Sequence, residues 1–123
     1  MRLARANPPS CSEMLRNLLS LSDTELRVYK ILLAANGQRV SDVAKKVGRD
    51  RSSVQRSLGD LLSAGLITRD TERISDGGYY YTYFAVPPAQ VKKELERCID
   101  DWHEAALESL DDFEQEMEGS LDE

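Results

Sequence analysis

The hydrophobic pattern of this chain changes period once and then changes back. Up to Gly65 the apolar residues recur at steps of three and four, the spacing of amphipathic helices. LITRDTERI (66–74) and YYYTYFAV (79–86) are instead rich in β-branched and aromatic residues. Between them stands Ser75-Asp76-Gly77-Gly78, a turn sequence whose residues tolerate positive φ. From Ala89 the helical spacing returns. The order helix, helix, short helix, helix, hairpin, long helix is that of a winged helix-turn-helix. The expected fold class is mainly α with a β-hairpin: a winged helix-turn-helix with a long C-terminal dimerisation helix.

Local signals give the expected boundaries. Ser10-Cys11-Ser12-Glu13 reads as a capping box before a brief helix with Met14, Leu18 and Leu21 inward. Ser22-Asp23-Thr24-Glu25 is a second box, opening a helix with Leu26, Tyr29, Ile31, Leu32 and Leu33, ended by Asn36-Gly37. Ser41 is expected to cap a short helix through Val47, with Val43, Ala44 and Val47 inward and Gly48 ending it. Arg49-Asp50 then leads into a helix from about Arg51 to Ala64, closed by Gly65. Pro87-Pro88 stops the second strand, and a continuous helix is expected from Ala89 to about Glu118. Three regions follow: 1–21, an arm and short helix; 22–87, the winged helix; 88–123, a long acidic dimerisation helix and tail.

The 123 residues suit one domain of modest core and carry a net charge of −6. The charge is uneven. Residues 1–38 are net +2, residues 39–73 net +3, and residues 74–123 net −11, with no Lys or Arg after Arg97. Arginine outnumbers lysine eleven to five, and with the acidic excess this is the profile of a protein from a salt-rich cytoplasm. No apolar run approaches the roughly 18 residues of a membrane span, and the N-terminus lacks an apolar signal core, so a cytoplasmic location without membrane attachment is expected. His103 is the only histidine, and there is no P-loop and no G-x-G-x-x-G. Cys98 and His103 do not share a helix face well. No enzyme activity, metal or cofactor is therefore expected. Cys11 and Cys98 read as free thiols, candidate sensors if the protein answers to redox state.

The helix 51–64 has an inward stripe of Val54, Leu58, Leu61 and Leu62. Its first two turns carry Arg51, Ser52, Ser53, Gln55 and Arg56 elsewhere. Arg pairs with guanine O6/N7, Gln with adenine N6/N7, and Ser with bases or phosphates. These five are the candidate base contacts with double-stranded DNA, at the end of the helix that enters the major groove in this motif. Ser41, Lys45, Lys46 and Arg49 are candidate phosphate contacts. Arg69 and Arg73, on one face of the first wing strand, could reach the backbone or minor groove, or simply pair across the strands. The tyrosines at 79, 80, 81 and 83, with Phe84, read as ordinary strand formers, alternate ones packing under the wing, rather than as a base-stacking surface. Gly59 is a misfit inside a helix, costing about 1 kcal/mol relative to Ala; close approach of another helix or of a phosphate backbone would explain it.

Taken together, the LSDTELRVYKIL opening (21–32), SSVQRSLGDL (52–61), Gly65-Leu66 and AVPP (85–88) ahead of a long helix resemble the DNA-binding domain of archaeal TrmB-like transcriptional regulators, over about residues 20–97. The resemblance implies sequence-specific, usually dimeric, DNA binding through Arg51, Ser52, Ser53, Gln55 and Arg56. Asp50 stands where that family often has Pro. The chain also ends where longer members continue into an effector-binding domain, so no small-molecule effector domain is expected and sugar sensing is not implied. PadR-like proteins and short haloarchaeal oxidative-stress regulators are similar in length and layout.

The long helix carries an apolar stripe with no second partner in so short a chain. Its expected cover is a second copy. The expected homodimer interface comprises Met14, Leu18, Val91, Leu95, Ile99, Trp102, Ala106, Leu110 and Phe113, and two-fold symmetry then suits a pseudo-palindromic site. The competing reading is a winged-helix protein-interaction module whose acidic helix docks a basic partner.

Overall fold

The computed structural model describes residues 9–119. Its elements are α1 (Cys11–Leu19), α2 (Asp23–Ala34), α3 (Val40–Val47), α4 (Arg51–Ala64), β1 (Ile67–Arg73), β2 (Tyr79–Ala85), α5 (Pro88–Asp111) and α6 (Phe113–Gly119). This is mainly helical, with one antiparallel two-stranded hairpin, as a winged helix-turn-helix requires. Backbone contacts divide the chain after Pro88 into two compact units.

In the first unit α2, α3 and α4 pack on one another, and the hairpin closes against them through contacts of β2 with α2 and α3 and of β1 with α4. Val28, Leu32, Val43, Val54, Leu58 and Leu61 are fully buried at the centre. The helix ends follow local chemistry. Ser22 Oγ accepts from Glu25 N–H at 3.2 Å while Glu25 Oε1 accepts from Ser22 N–H at 2.9 Å, the complete capping box. Gly48, at φ 72°, makes the turn between α3 and α4, where a side chain would clash with its own backbone. Gly77 and Gly78, at φ 98° and 88°, form the tip of the hairpin.

Several boundaries differ from expectation. The brief first helix ends at Leu19, with Ser20 left-handed at φ 57°, so Leu21 lies beyond it, buried at 4% exposure. α2 stops at Ala34, ahead of Asn36-Gly37, where Ala35 turns extended; the Gln38 side chain turns back to donate to Ile31 O at 3.0 Å and to Ala35 O. Ser41 is not the cap of α3. The cap position is Arg39, whose N–H donates to Asp42 Oδ2 at 3.2 Å, and Ser41 is the second helical residue. Leu62 is only half-buried, and Leu33 is 37% exposed.

The wing is anchored by more than its own ladder, in which Arg69 faces Tyr83, Thr71 faces Tyr81, Glu72 faces Tyr80 and Arg73 faces Tyr79. The α2–α3 loop adds a short third strip: Gly37 N–H donates to Tyr83 O and Tyr83 N–H to Gln38 O, both at 2.9 Å. Asn36 Oδ1 accepts from Ala85 N–H at 2.7 Å, and Tyr29 Oη donates to Val86 O at 2.7 Å. A two-stranded hairpin is marginal in isolation; these bonds fix this one to the helices.

The second unit is helical, but the expected single helix is broken at Asp112, between α5 and α6. Asp111 and Asp112 have low helix propensity and sit at the negative end of α5, amid further carboxylates and beyond the last basic residue. Ile99, Trp102, Leu107, Leu110 and Phe113 are exposed. Among the described residues, no helix is long and apolar enough to cross a membrane.

Candidate nucleic-acid interface

The N-terminus of α4 is set by Asp50. Its Oδ2 accepts from Ser53 N–H at 3.0 Å and its Oδ1 from Ser53 Oγ at 2.6 Å. The Ser53 hydroxyl, then the Ser53 N–H, hold the Asp50 carboxyl below its ordinary pKa, so it is ionised at neutral pH. Asp50 thus does the helix-starting work that Pro would do at this point. It also accepts the hydrogen bond that the hydroxyl of Ser53, a half-buried residue, can donate. Of the five expected base contacts, Ser53 therefore has only its oxygen lone pairs left to offer.

Arg51, Ser52, Gln55 and Arg56 are exposed, opposite the buried Val54, Leu58 and Leu61. The structure sorts them. Arg51 and Gln55 line a cleft of about 330 Å³ with Arg39, Val40, Ser41 and the wing residues Tyr79, Tyr80, Tyr81 and Tyr83. Arg56 and Ser53 line a separate hollow of about 310 Å³ on the other flank, with Arg49, Ser57, Asp60 and, from α2, Ser22, Thr24 and Glu25. Lys45 and Lys46 are exposed in the last turn of α3. Arg73 lines a hollow at the wing tip with Thr71 and Tyr79.

The two flanks differ in charge. On the Arg56 side Glu25 is 5% exposed, and burial, reinforced by the neighbouring Asp60, pushes its carboxyl above the ordinary value. On the wing side no acidic side chain lines the cleft. Asp70 and Glu72 alternate with Arg69 and Arg73 along β1 and so fall on the other face of the hairpin, the face that also carries Tyr80, the cross-strand partner of Glu72. Among the described residues, Arg16 pairs with Asp23 and Arg97 with Glu94; the arginines of α4 and the wing are in neither pair.

Two features were not drawn from the sequence. Arg39 lies in the wing-side cleft, its guanidinium carbon 3.5 Å from the centroid of Tyr80; placing the start of α3 at Ser41 hid it. The tyrosines line that cleft, although Tyr83, 2% exposed, does pack under the wing. A Cβ built on Gly59 would meet nothing within 4 Å, so no other part of the described chain explains this glycine. Of the expected self-contact surface, Val91 is 9% exposed. Leu95, Ala106, Met14 and Leu18 are half-buried. Cys11 is exposed and Cys98 half-buried, both free.

Known proteins carry the same layout. A solved structure of a possible transcriptional regulator from Methanosarcina mazei Go1 superposes with a TM-score of 0.79 over 93% of this chain and 96% of that one, at 22% identity. The MepR–DNA complex of S. aureus superposes at 0.54 over 89% and 87%, at 17% identity. At these identities the likeness is one of fold. Two uncharacterized proteins of Methanocaldococcus jannaschii are related in sequence: MJ1503, 38% identical over 64% of this chain, and MJ1082, 35% identical over 84% of it. The chain spans 60% of the length of the first and 85% of the second. The family model for the sugar-specific transcriptional regulator TrmB matches residues 13–89. With more than half of its length so matched, the chain belongs to the TrmB family of winged-helix transcriptional regulators.

Proposed function

We propose that this protein is a sequence-specific DNA-binding regulator that works in the cytoplasm as a homodimer on a pseudo-palindromic site. The observation that carries the reading is the exposed Arg51, Ser52, Gln55 and Arg56 on the first two turns of α4, backed by a fully buried stripe that holds the helix rigid. Residue types of this kind read base edges in the major groove. Ser53 contributes as an acceptor. Ser41, Lys45, Lys46, Arg49, Arg69 and Arg73 contact the phosphate backbone, with the wing near the minor groove, and these contacts position without specifying sequence. Met14, Leu18, Val91, Leu95, Ile99, Trp102, Ala106, Leu110 and Phe113 form the self-contact surface. A two-fold dimer would set two α4 helices about 34–36 Å apart, one turn of DNA.

Random-site selection followed by gel shift tests this. Arg51→Ala and Arg56→Ala should each weaken binding to the selected site by about 1–3 kcal/mol and relax one base position. A wild-type protein that enriches no sequence would end the DNA reading. It would turn attention to the acidic second unit as a docking surface for a basic protein, the reading that the exposed carboxylates of α5 and α6 favour.

A further inference from the structure

Arg39 is placed unlike the other basic residues near α4. Its backbone is extended, φ −84° and ψ 163°, and its N–H is tied to Asp42, so the main chain there does not depend on the side chain. The guanidinium lies over Tyr80 at 3.5 Å from the ring centroid, a cation–π contact. On the opposite face of the hairpin Arg69 lies over Tyr81 at 4.0 Å, and Tyr81 meets Tyr79 and Tyr83 edge-on. β2 is bonded to the helices at Tyr83, through Gly37 and Gln38. Tyr80, on the other face of the same strand and paired with Glu72, is held by that anchoring, so Arg39 rests on an anchored strand rather than on a free one.

A stacked guanidinium keeps its N–H groups in its own plane, directed past the ring, with less side-chain freedom to lose on binding. Arg39 takes part in neither ion pair of the described residues, and the nearby Asp42 carboxylate is engaged by backbone N–H. It shares its cleft with Ser41, Arg51 and Gln55, and no acidic side chain lines that cleft. A planar, pre-oriented donor beside the base-reading end of a helix fits an acceptor of fixed geometry and negative charge, which on a duplex is a backbone phosphate.

We propose that Arg39, held over Tyr80, is a phosphate-binding residue that sets the register of α4 on DNA. The proposal rests on the DNA-binding reading. It differs from a purely structural Arg39–Tyr80 staple between α3 and the wing, and the difference is measurable. A staple contributes to folding. A phosphate contact contributes to the salt dependence of binding, because each neutralised phosphate releases counterion.

The test compares wild type, Arg39→Ala, Arg39→Gln, Tyr80→Leu and Arg51→Ala by gel shift on the selected duplex and on unrelated duplexes across a KCl series, with melting temperatures taken in parallel. Arg39→Ala and Arg39→Gln should both weaken binding about tenfold on either class of duplex and lower the salt slope by about 0.9 per half-site. Their melting temperatures should match wild type, and the selected sequence should be unchanged. Tyr80→Leu should weaken binding several-fold with the slope unchanged, since the charge remains. Wild-type affinity and slope in both Arg39 variants, or a fall in melting temperature with the slope intact, would overturn the proposal. If Arg51→Ala still alters site preference in that case, the DNA reading stands without it. A wild type that binds no duplex overturns both.

Discussion

Gly59→Ala is the substitution for which the structure gives the clearest sign. Gly59 is the ninth residue of the fourteen in α4, exposed, and absent from the residues with positive φ. Its backbone is thus one that any L-residue adopts. An added Cβ meets nothing within 4 Å. Alanine there imposes no strain and no clash, while it removes the excess freedom that glycine brings to the unfolded chain. The gain is about 1 kcal/mol for a helix interior. For a unit of this size, 1 kcal/mol moves the melting temperature by about 4–8 °C. Thermal unfolding followed by circular dichroism, at one fixed protein concentration because dimerisation would shift the curve, measures it directly. An unchanged or lower melting temperature would refute the reasoning, since it would mean that something outside the single chain, a second copy for instance, packs against that face.

Further outcomes follow from other parts of the molecule. Glu25→Gln should be more stable than wild type at pH 7. Burial raises the carboxyl pKa in the folded state, so wild type loses stability as pH rises from the ordinary value of 4.5 through the raised one, whereas the amide does not titrate and still accepts from Ser22 N–H; melting curves across that window check it, and parallel pH profiles would exclude it. Trp102, 64% exposed on α5, should be central to self-association, and Trp102→Asp should yield monomers by light scattering; a monomeric wild type at micromolar concentration would rule out the homodimer. DNA affinity measured from about 0.2 to about 3 M KCl should fall only shallowly or even rise, with Asp50, Asp60, Asp70 and Glu72 the candidates to take up cations when phosphates approach; a loss of the size expected for six or more released counterions would refute salt-adapted recognition.

The sequence by itself determined the elements and most of their ends, because those depend on neighbours within a turn or two. Ser22 with Glu25, Gly48, Gly65 and the Asp76-Gly77-Gly78 tip act locally, and the structure follows them. The buried side of α4 was legible for the same reason: Val54, Leu58 and Leu61 repeat at helical spacing. The bond from Ser53 to Asp50 is equally local and could have been read from an Asp three residues ahead of a Ser at a helix start, yet the polar type of Ser53 drew it into the base-reading set. Only the tertiary structure decided what distant segments do to one another. Tyr83 is bonded to Gly37 and Gln38, Arg39 meets Tyr80 through the pairing of β2 with the α2–α3 loop, and the candidate contacts of α4 divide between a flank of mixed charge and one without acidic side chains. Such pairings join residues far apart in the chain, and no periodicity or cap in either segment encodes its partner; they arise when the wing is bonded onto the helical core.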